Sequence, residues 1–217
     1  SLVESTMHSA YQLFERLRSD SSTKDAAKDA LIIANDIHEI KKEYYLILRG
    51  LSDALQTEDG PLRLEFGELF SLLRSPVEQI ASAAHKTLSF EVKGRSSFRT
   101  GHVYELLSVF RNLFTNAVEA SKNDQVFIQV TLEETADEIL CTVTDHGQGI
   151  PPDALSQIFD AGFSTKINYE TGEISRGLGL NIVKGIVEEN LGGCIHADSR
   201  PGNTCFSIRL PKETLEG

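Results

Sequence analysis

The chain has 217 residues, 40% of them hydrophobic, enough for one large domain or two small ones. A formal net charge of −11 and a pI of about 5.0 argue against nucleic acid or an anionic membrane surface as the main partner. No apolar run approaches membrane length and no signal-peptide pattern opens the chain, so the expectation is a cytoplasmic chain, or the cytoplasmic part of a longer one. Three cysteines, Cys141, Cys194 and Cys205, fall in strand-like stretches without CxxC spacing; they are expected to be reduced core residues, not a zinc site.

In chain order, Val3, Met7, Ala10, Phe14 and Leu17 form a heptad seam that stops at "RSDSSTKD". Ser22 with Asp25 three residues on reads as a capping box. A longer seam follows from Ala26 through Ile33, Ile40 and Ile47 to Ala54. Two helices joined by a polar turn predict an antiparallel hairpin over 1–60, suited to a four-helix bundle made by two chains. "TEDGP" breaks that helix.

The remainder, 61–217, reads as a second domain. "LRLEF" predicts a short strand, residues 67–86 a helix kinked or restarted at Ser75-Pro76, "LSFEV" a strand and residues 102–121 a helix. "QVFIQVTL" and "EILCTVTD" alternate as strands, and glycine-rich "HGQGIPP" follows. A short helix over 153–159, a polar segment from Ala161 to Arg176, the helix "GLGLNIVKGIVEEN" and the strands "GCIHADS" and "TCFSIRL" close the chain. Without a regular β–α–β alternation the class is α+β, a mainly antiparallel sheet covered by helices in an α/β sandwich.

Several features exceed what a core demands. On the helix over 102–121, Leu106, Leu107, Phe110, Leu113, Phe114, Ala117 and Val118 make the buried stripe. Asn112 and Asn116, one turn apart, stack on its border, although asparagine is a poor helix former. Alone they would be locally satisfied helix residues. Asp145 ends a hydrophobic strand, and Gly147 and Gly149 follow it. A carboxylate there can accept a hydrogen bond from an exocyclic amine, and glycines let backbone pass close to a ligand. Gly177 and Gly179 open a helix whose free N–H groups suit phosphate oxygens, with Arg176 and Lys166 ahead of them. Nothing matches a P-loop.

The runs "RNLFTNAVEA", "DHGQGIP", "IFDAGFSTK", "RGLGLNIVKGIVEENLGG" and "GNTCFSIRLP" occur in the order of the N, G1, F, G2 and G3 boxes. Over 62–211 the chain resembles the ATP-binding domain of sensor histidine kinases, within the gyrase/Hsp90/MutL ATPase superfamily. The resemblance implies ATP and Mg²⁺ as ligands. It implies that Asn116 coordinates Mg²⁺ bridging the phosphates, and that Asn112 stands where hydrolytic relatives keep a glutamate base. It further implies that Asp145 reads adenine, that Gly147, Gly149 and Ile150 admit the ring, and that Thr204 sits behind it. Phe159 and Phe163 would anchor a lid over 161–176. Lys166, Arg176, Gly177, Leu178, Gly179 and Leu180 would meet the nucleotide. Two departures stand out: His146 where the family usually has asparagine, and Asn203 where the last box usually has a second glycine.

A histidine kinase needs an acceptor histidine on its hairpin. His38 is followed by Glu39, as in many acceptor motifs, but falls on the second helix. His8 is on the first helix, at a family-like distance before Asn112, but lacks the acidic neighbour. Both follow a seam residue, Met7 and Ile37, and so face outward; the bland reading of either is a solvated surface histidine. His85, His102 and His196 are expected on loops or surface, and His146 at the rim of the nucleotide pocket. The implied partners are a second copy through the hairpin and a response-regulator receiver domain. The alternatives are an ATPase of the same superfamily or a non-catalytic nucleotide-binding scaffold.

Overall fold

The computed structural model describes residues 62–160, Phe163 and residues 179–216. The predicted hairpin, with His8 and His38, and most of the predicted lid lie outside these residues. No helix among the described residues is long and apolar enough to cross a membrane.

Strand β1 (Leu64–Glu65) leads at once into helix α1 (Phe66–Ala83). The Glu68 carboxylate accepts the Glu65 N–H at 2.8 Å and so occupies a donor at the helix start. The helix runs unbroken through Pro76, so it does not restart there. Proline removes the bond to the carbonyl four residues back, which belongs to Leu72, and Leu72 faces solvent, so water can take the donor's place. The helix ends with His85 at φ 57 while the Lys86 N–H donates to the Ala81 carbonyl at 2.8 Å. This is a Schellman ending built with histidine in place of glycine. It turns Lys86 back into the domain.

Strand β2 (Thr87–Gly94) follows, then β3 (Arg99–Thr100), helix α2 (Val103–Ala120), β4 (Gln125–Glu134) and β5 (Glu138–Asp145). The short helix α3 covers only Pro152–Leu155. Helix α4 (Gly179–Gly185) passes into a π-helical turn over Ile186–Asn190, where the Leu191 N–H reaches back to the Ile186 carbonyl at 3.0 Å. Strands β6 (Cys194–Arg200) and β7 (Asn203–Pro211) and helix α5 (Lys212–Leu215) complete it. β3, which pairs with β1, and α5 escaped the sequence reading.

The main sheet runs β2-β4-β5-β7-β6. β2 pairs parallel with β4, and every other pair is antiparallel. Alternation sets its faces. Val126, Ile128, Val130 and Leu132 of β4, Ile139, Cys141 and Val143 of β5, and Phe206, Ile208 and Leu210 of β7 are all buried. Helices α1 and α2 pack over that face through aromatics. Phe70 meets Phe110 edge-on at 4.8 Å, and Phe90 meets Phe114 likewise at 5.2 Å. The predicted stripe of α2 is buried along its length, while Asn112 and Asn116 are half-exposed at its border. Each buried Phe or Leu here contributes about 1.5–3 kcal/mol.

Only one of the three cysteines is core: Cys205 is half-buried, on the phase of β7 opposite Phe206. Cys141 is core, and its burial pushes the thiol far above the usual range. Cys194 is exposed, because it falls on the outward phase of edge strand β6. All three are free.

Candidate functional site

The strand ends of β5, β7 and β6 meet at one edge of the buried face. Asp145 is the cross-strand partner of Thr204, and Thr204 is the partner of Ser199. Directly opposed residues point to the same side, so a carboxylate and two hydroxyls line up across three strands. Asp145 and Thr204 are buried. Each occupies the inward phase of its strand, where its neighbours two residues away are Val143 and Phe206. Burying polar groups there costs free energy unless partners are found.

The loop after β5 supplies some. Asp145 Oδ1 accepts the Gly147 N–H at 2.8 Å. The Gln148 N–H donates to the Ala120 carbonyl at 3.0 Å, which ties the loop to the end of α2. The Ile150 N–H donates to Ser199 Oγ at 2.8 Å, and Ser199 Oγ lies 3.0 Å from Thr204 Oγ1. His146 stacks on Phe127 with centroids 4.8 Å apart, and its Nδ1 lies 3.3 Å from the Gly202 carbonyl oxygen. The loop is thereby held to α2 on one side and to the β6–β7 turn on the other.

The two glycines of this loop are required by contact. A Cβ on Gly147 would stand 2.8 Å from the Ala120 Cβ and from Asp145 Oδ1. Gly149 has φ +81, and a Cβ there would stand 2.6 Å from the Arg200 carbonyl oxygen. Both positions are packed against protein atoms, so neither has room for a side chain.

The second wall is α2 against the start of α4. The Asn112 Nδ2 donates to the Ser108 carbonyl at 2.8 Å, which fixes the amide and turns its oxygen outward. That oxygen would be 3.0 Å from a Cβ on Gly179, so Asn112 faces the first residue of α4. Asn116 is one turn along the same border. Asn181 Nδ2 donates to the Phe159 carbonyl at 3.0 Å, Lys184 Nζ lies 5.9 Å from the Phe159 ring centre, and Phe159 meets the Phe206 ring at 6.5 Å. The predicted anchor therefore joins α4 to the core face. Gly179 and Leu180 open α4 and are half-exposed.

Of the predicted site residues, the structure gathers Asn112, Asn116, Asp145, Gly147, Gly149, Ile150, Gly179, Leu180 and Thr204 on one side of the domain, with Phe159 packed behind. Lys166, Arg176, Gly177 and Leu178 lie outside the described residues. Among the described residues no group of three or more His, Cys, Asp or Glu side chains is placed to hold a metal. Two contributors went unseen in the sequence. Ser199 shows a legible signal in hindsight, a polar residue on the inward phase of β6 after Ile195 and Ala197. Lys86 shows none. Its Nζ donates to the Val118 and Ser121 carbonyls at 2.8 and 2.7 Å, capping the end of α2 beside the glycine loop.

The family described as histidine kinase-, DNA gyrase B- and HSP90-like ATPase matches residues 101–214. Sensor histidine kinase GlnK of Bacillus subtilis (strain 168) is 32% identical over 216 residues, 98% of this chain and 51% of that protein. Sensor histidine kinase DcuS of Escherichia coli (strain K12) is 34% identical over 194 residues, 80% of this chain and 34% of that protein. The chain spans about half the length of these relatives or less. The solved catalytic domain of histidine kinase ThkA aligns with a TM-score of 0.58 at 26% identity, over 70% of this chain and 97% of that one. On this match the chain belongs to the histidine kinase-, DNA gyrase B- and HSP90-like ATPase family.

Proposed function

We propose that the chain is the catalytic core of a two-component sensor histidine kinase. Residues 61–217 bind ATP with Mg²⁺. Residues 1–60 form a helical hairpin that pairs with a second copy and carries the acceptor histidine, His8 or His38. Asp145 takes the exocyclic amine of adenine, and the ring lies against the backbone of the Gly147–Gly149 loop. Asn116 is the protein ligand for Mg²⁺, since an amide oxygen is a hard donor suited to it. Lys166, Arg176, Gly177 and Leu178 meet the phosphates. The setting is cytoplasmic.

The observation that carries this reading is Asn112. Its carboxamide is fixed by Ser108 and faces the start of α4, where a hydrolase of the resembling superfamily would place a carboxylate. An amide cannot take a proton from water, so the γ-phosphoryl group is spared for transfer. A neutral imidazole nitrogen then attacks the γ-phosphorus. The N–P bond forms as the bond to the β,γ-bridging oxygen breaks, and ADP leaves. Positioning and charge neutralisation do most of such a step. The phosphoryl group passes on to an aspartate of a receiver domain.

The test is incubation with γ-labelled ATP and Mg²⁺, comparing the wild type with His8→Gln and His38→Gln. Acid-labile label on the protein, lost in one of the two variants, is expected and names the acceptor. Phosphate release without labelled protein would instead mark an ATPase. Absence of both label and nucleotide binding would mark a scaffold.

A further inference from the structure

The last turn of α2 must find partners for carbonyls that no longer have a helical N–H to accept. The Ala117 carbonyl takes the Ser121 N–H at 3.2 Å. The Val118 carbonyl takes Lys86 Nζ at 2.8 Å, and the same ammonium donates to the Ser121 carbonyl at 2.7 Å. Ala120 lies between these two anchored residues. Its carbonyl takes the Gln148 N–H at 3.0 Å, and its Cβ would stand 2.8 Å from a Cβ on Gly147. Lys86 is itself fixed on both sides. Its own N–H donates to the Ala81 carbonyl at 2.8 Å, and the Thr87 N–H donates to the Asp124 carbonyl at 2.7 Å. Its charge also suits the negative end of the α2 dipole.

We propose that Lys86 is a positioning residue for the loop that follows Asp145. By holding Val118 and Ser121 it sets the Ala120 carbonyl, and Ala120 in turn sets Gly147 and Gln148. Its effect on ligand binding rests on the nucleotide reading proposed above; its effect on the loop does not. Without the ammonium, the Val118 and Ser121 carbonyls turn to water and the last turn of α2 loosens. The Gln148 N–H then loses its fixed acceptor. The Gly147 N–H, which donates to Asp145 Oδ1 at 2.8 Å, moves with it. The nucleotide meets a loop that it must first order, so affinity falls although the domain stays folded. A lysine that only stabilised the fold would lower the unfolding midpoint and leave the affinity of the folded protein unchanged.

Two measurements on the full chain test this: amide hydrogen exchange at Gln148 by NMR, relative to the amides of β5, and calorimetric titration with ADP in Mg²⁺ buffer. Both are made well below the unfolding midpoint. Lys86→Met is expected to speed Gln148 exchange by about tenfold relative to β5 and to lower ADP affinity by about fivefold, the worth of one hydrogen bond. Lys212→Met is the matched control, since it removes two hydrogen bonds at the other end of the β4–β5 hairpin. It should lower the midpoint and leave relative exchange and affinity as in the wild type. Gln148 exchange that rises no more than that of β5, or ADP affinity equal to the wild type, overturns the inference. Equal losses in Lys212→Met overturn it too, because any loss of stability would then suffice. Should Lys86→Met not fold, Lys86→Gln, uncharged and one methylene shorter, carries the same test. Wild-type protein that binds no ADP removes the nucleotide reading, and Gln148 exchange alone then decides for or against Lys86.

Discussion

At the loop end of the β4–β5 hairpin, Glu134 meets a full set of partners from its own chain. Lys212 Nζ donates to its carboxylate at 2.7 Å, and the Ser97 N–H does so at 3.0 Å. The same Lys212 donates to the Thr135 carbonyl and lies 5.7 Å from the Phe98 ring centre. At the opposite end of the hairpin, Asp145 is buried between strands, across from Thr204, and takes a backbone N–H from its own loop. One acid closes a structural latch. The other sits against a loop whose two glycines leave no room for a side chain. A carboxylate held by a lysine and a backbone amide beside the hairpin turn stabilises the fold, whereas the nucleotide reading gives the carboxylate at the other end a ligand to bind.

The sharpest way to break this comparison is at Asp145. Asp145→Asn keeps the shape but swaps a charged acceptor for an amide. ADP affinity should fall by about 30-fold while the thermal midpoint moves little. Glu134→Gln should do the reverse, leaving ADP affinity unchanged within error and lowering the midpoint. If both variants lose binding alike, the two ends are not distinct.

Gly147→Ala comes next. The new methyl group meets Ala120 and Asp145 and must push one of them, costing about 1–3 kcal/mol by urea unfolding. It should also block nucleotide entry. Lys86→Met removes two hydrogen bonds from the end of α2 and should cost about 1–2 kcal/mol, with a smaller loss of ADP affinity than Gly147→Ala.

The smallest effect is in acid. The Lys212 hydrogen bond, then that of Ser96, lowers the Glu134 pKa from 4.5 to about 2. The folded value is the lower one, so the latch stabilises fully above pH 4.5 and its contribution is lost as pH falls towards 2. Urea midpoints measured between those values should decline less steeply in Glu134→Gln than in the wild type.

Much of this was legible in the sequence. Alternation located β4, β5 and β7, and the 3.6-residue stripe located α2, because both patterns record burial on one face. The box residues were legible through five ordered motifs that resemble the sensor histidine kinase ATP-binding domain; taken singly, the same asparagines and glycines also fit ordinary helix and turn positions. What escaped notice depends on distant partners. Pro76 suggests a break until its freed carbonyl is known to face water. β3 is two residues long and exists only as a partner of β1. Lys86 acts through carbonyls more than thirty residues on, which no local pattern encodes. Cys194 looked like core because its strand alternates, but β6 is the sheet edge and its outward phase is open.

The central claim is that α2 presents an amide oxygen to a divalent ion held with the nucleotide. Asn116→Ala, titrated with ADP in the presence and absence of Mg²⁺, tests it most directly. Affinity should drop by about tenfold or more with Mg²⁺ and stay nearly constant without it. Equal affinity for the variant and the wild type in Mg²⁺ would contradict the account.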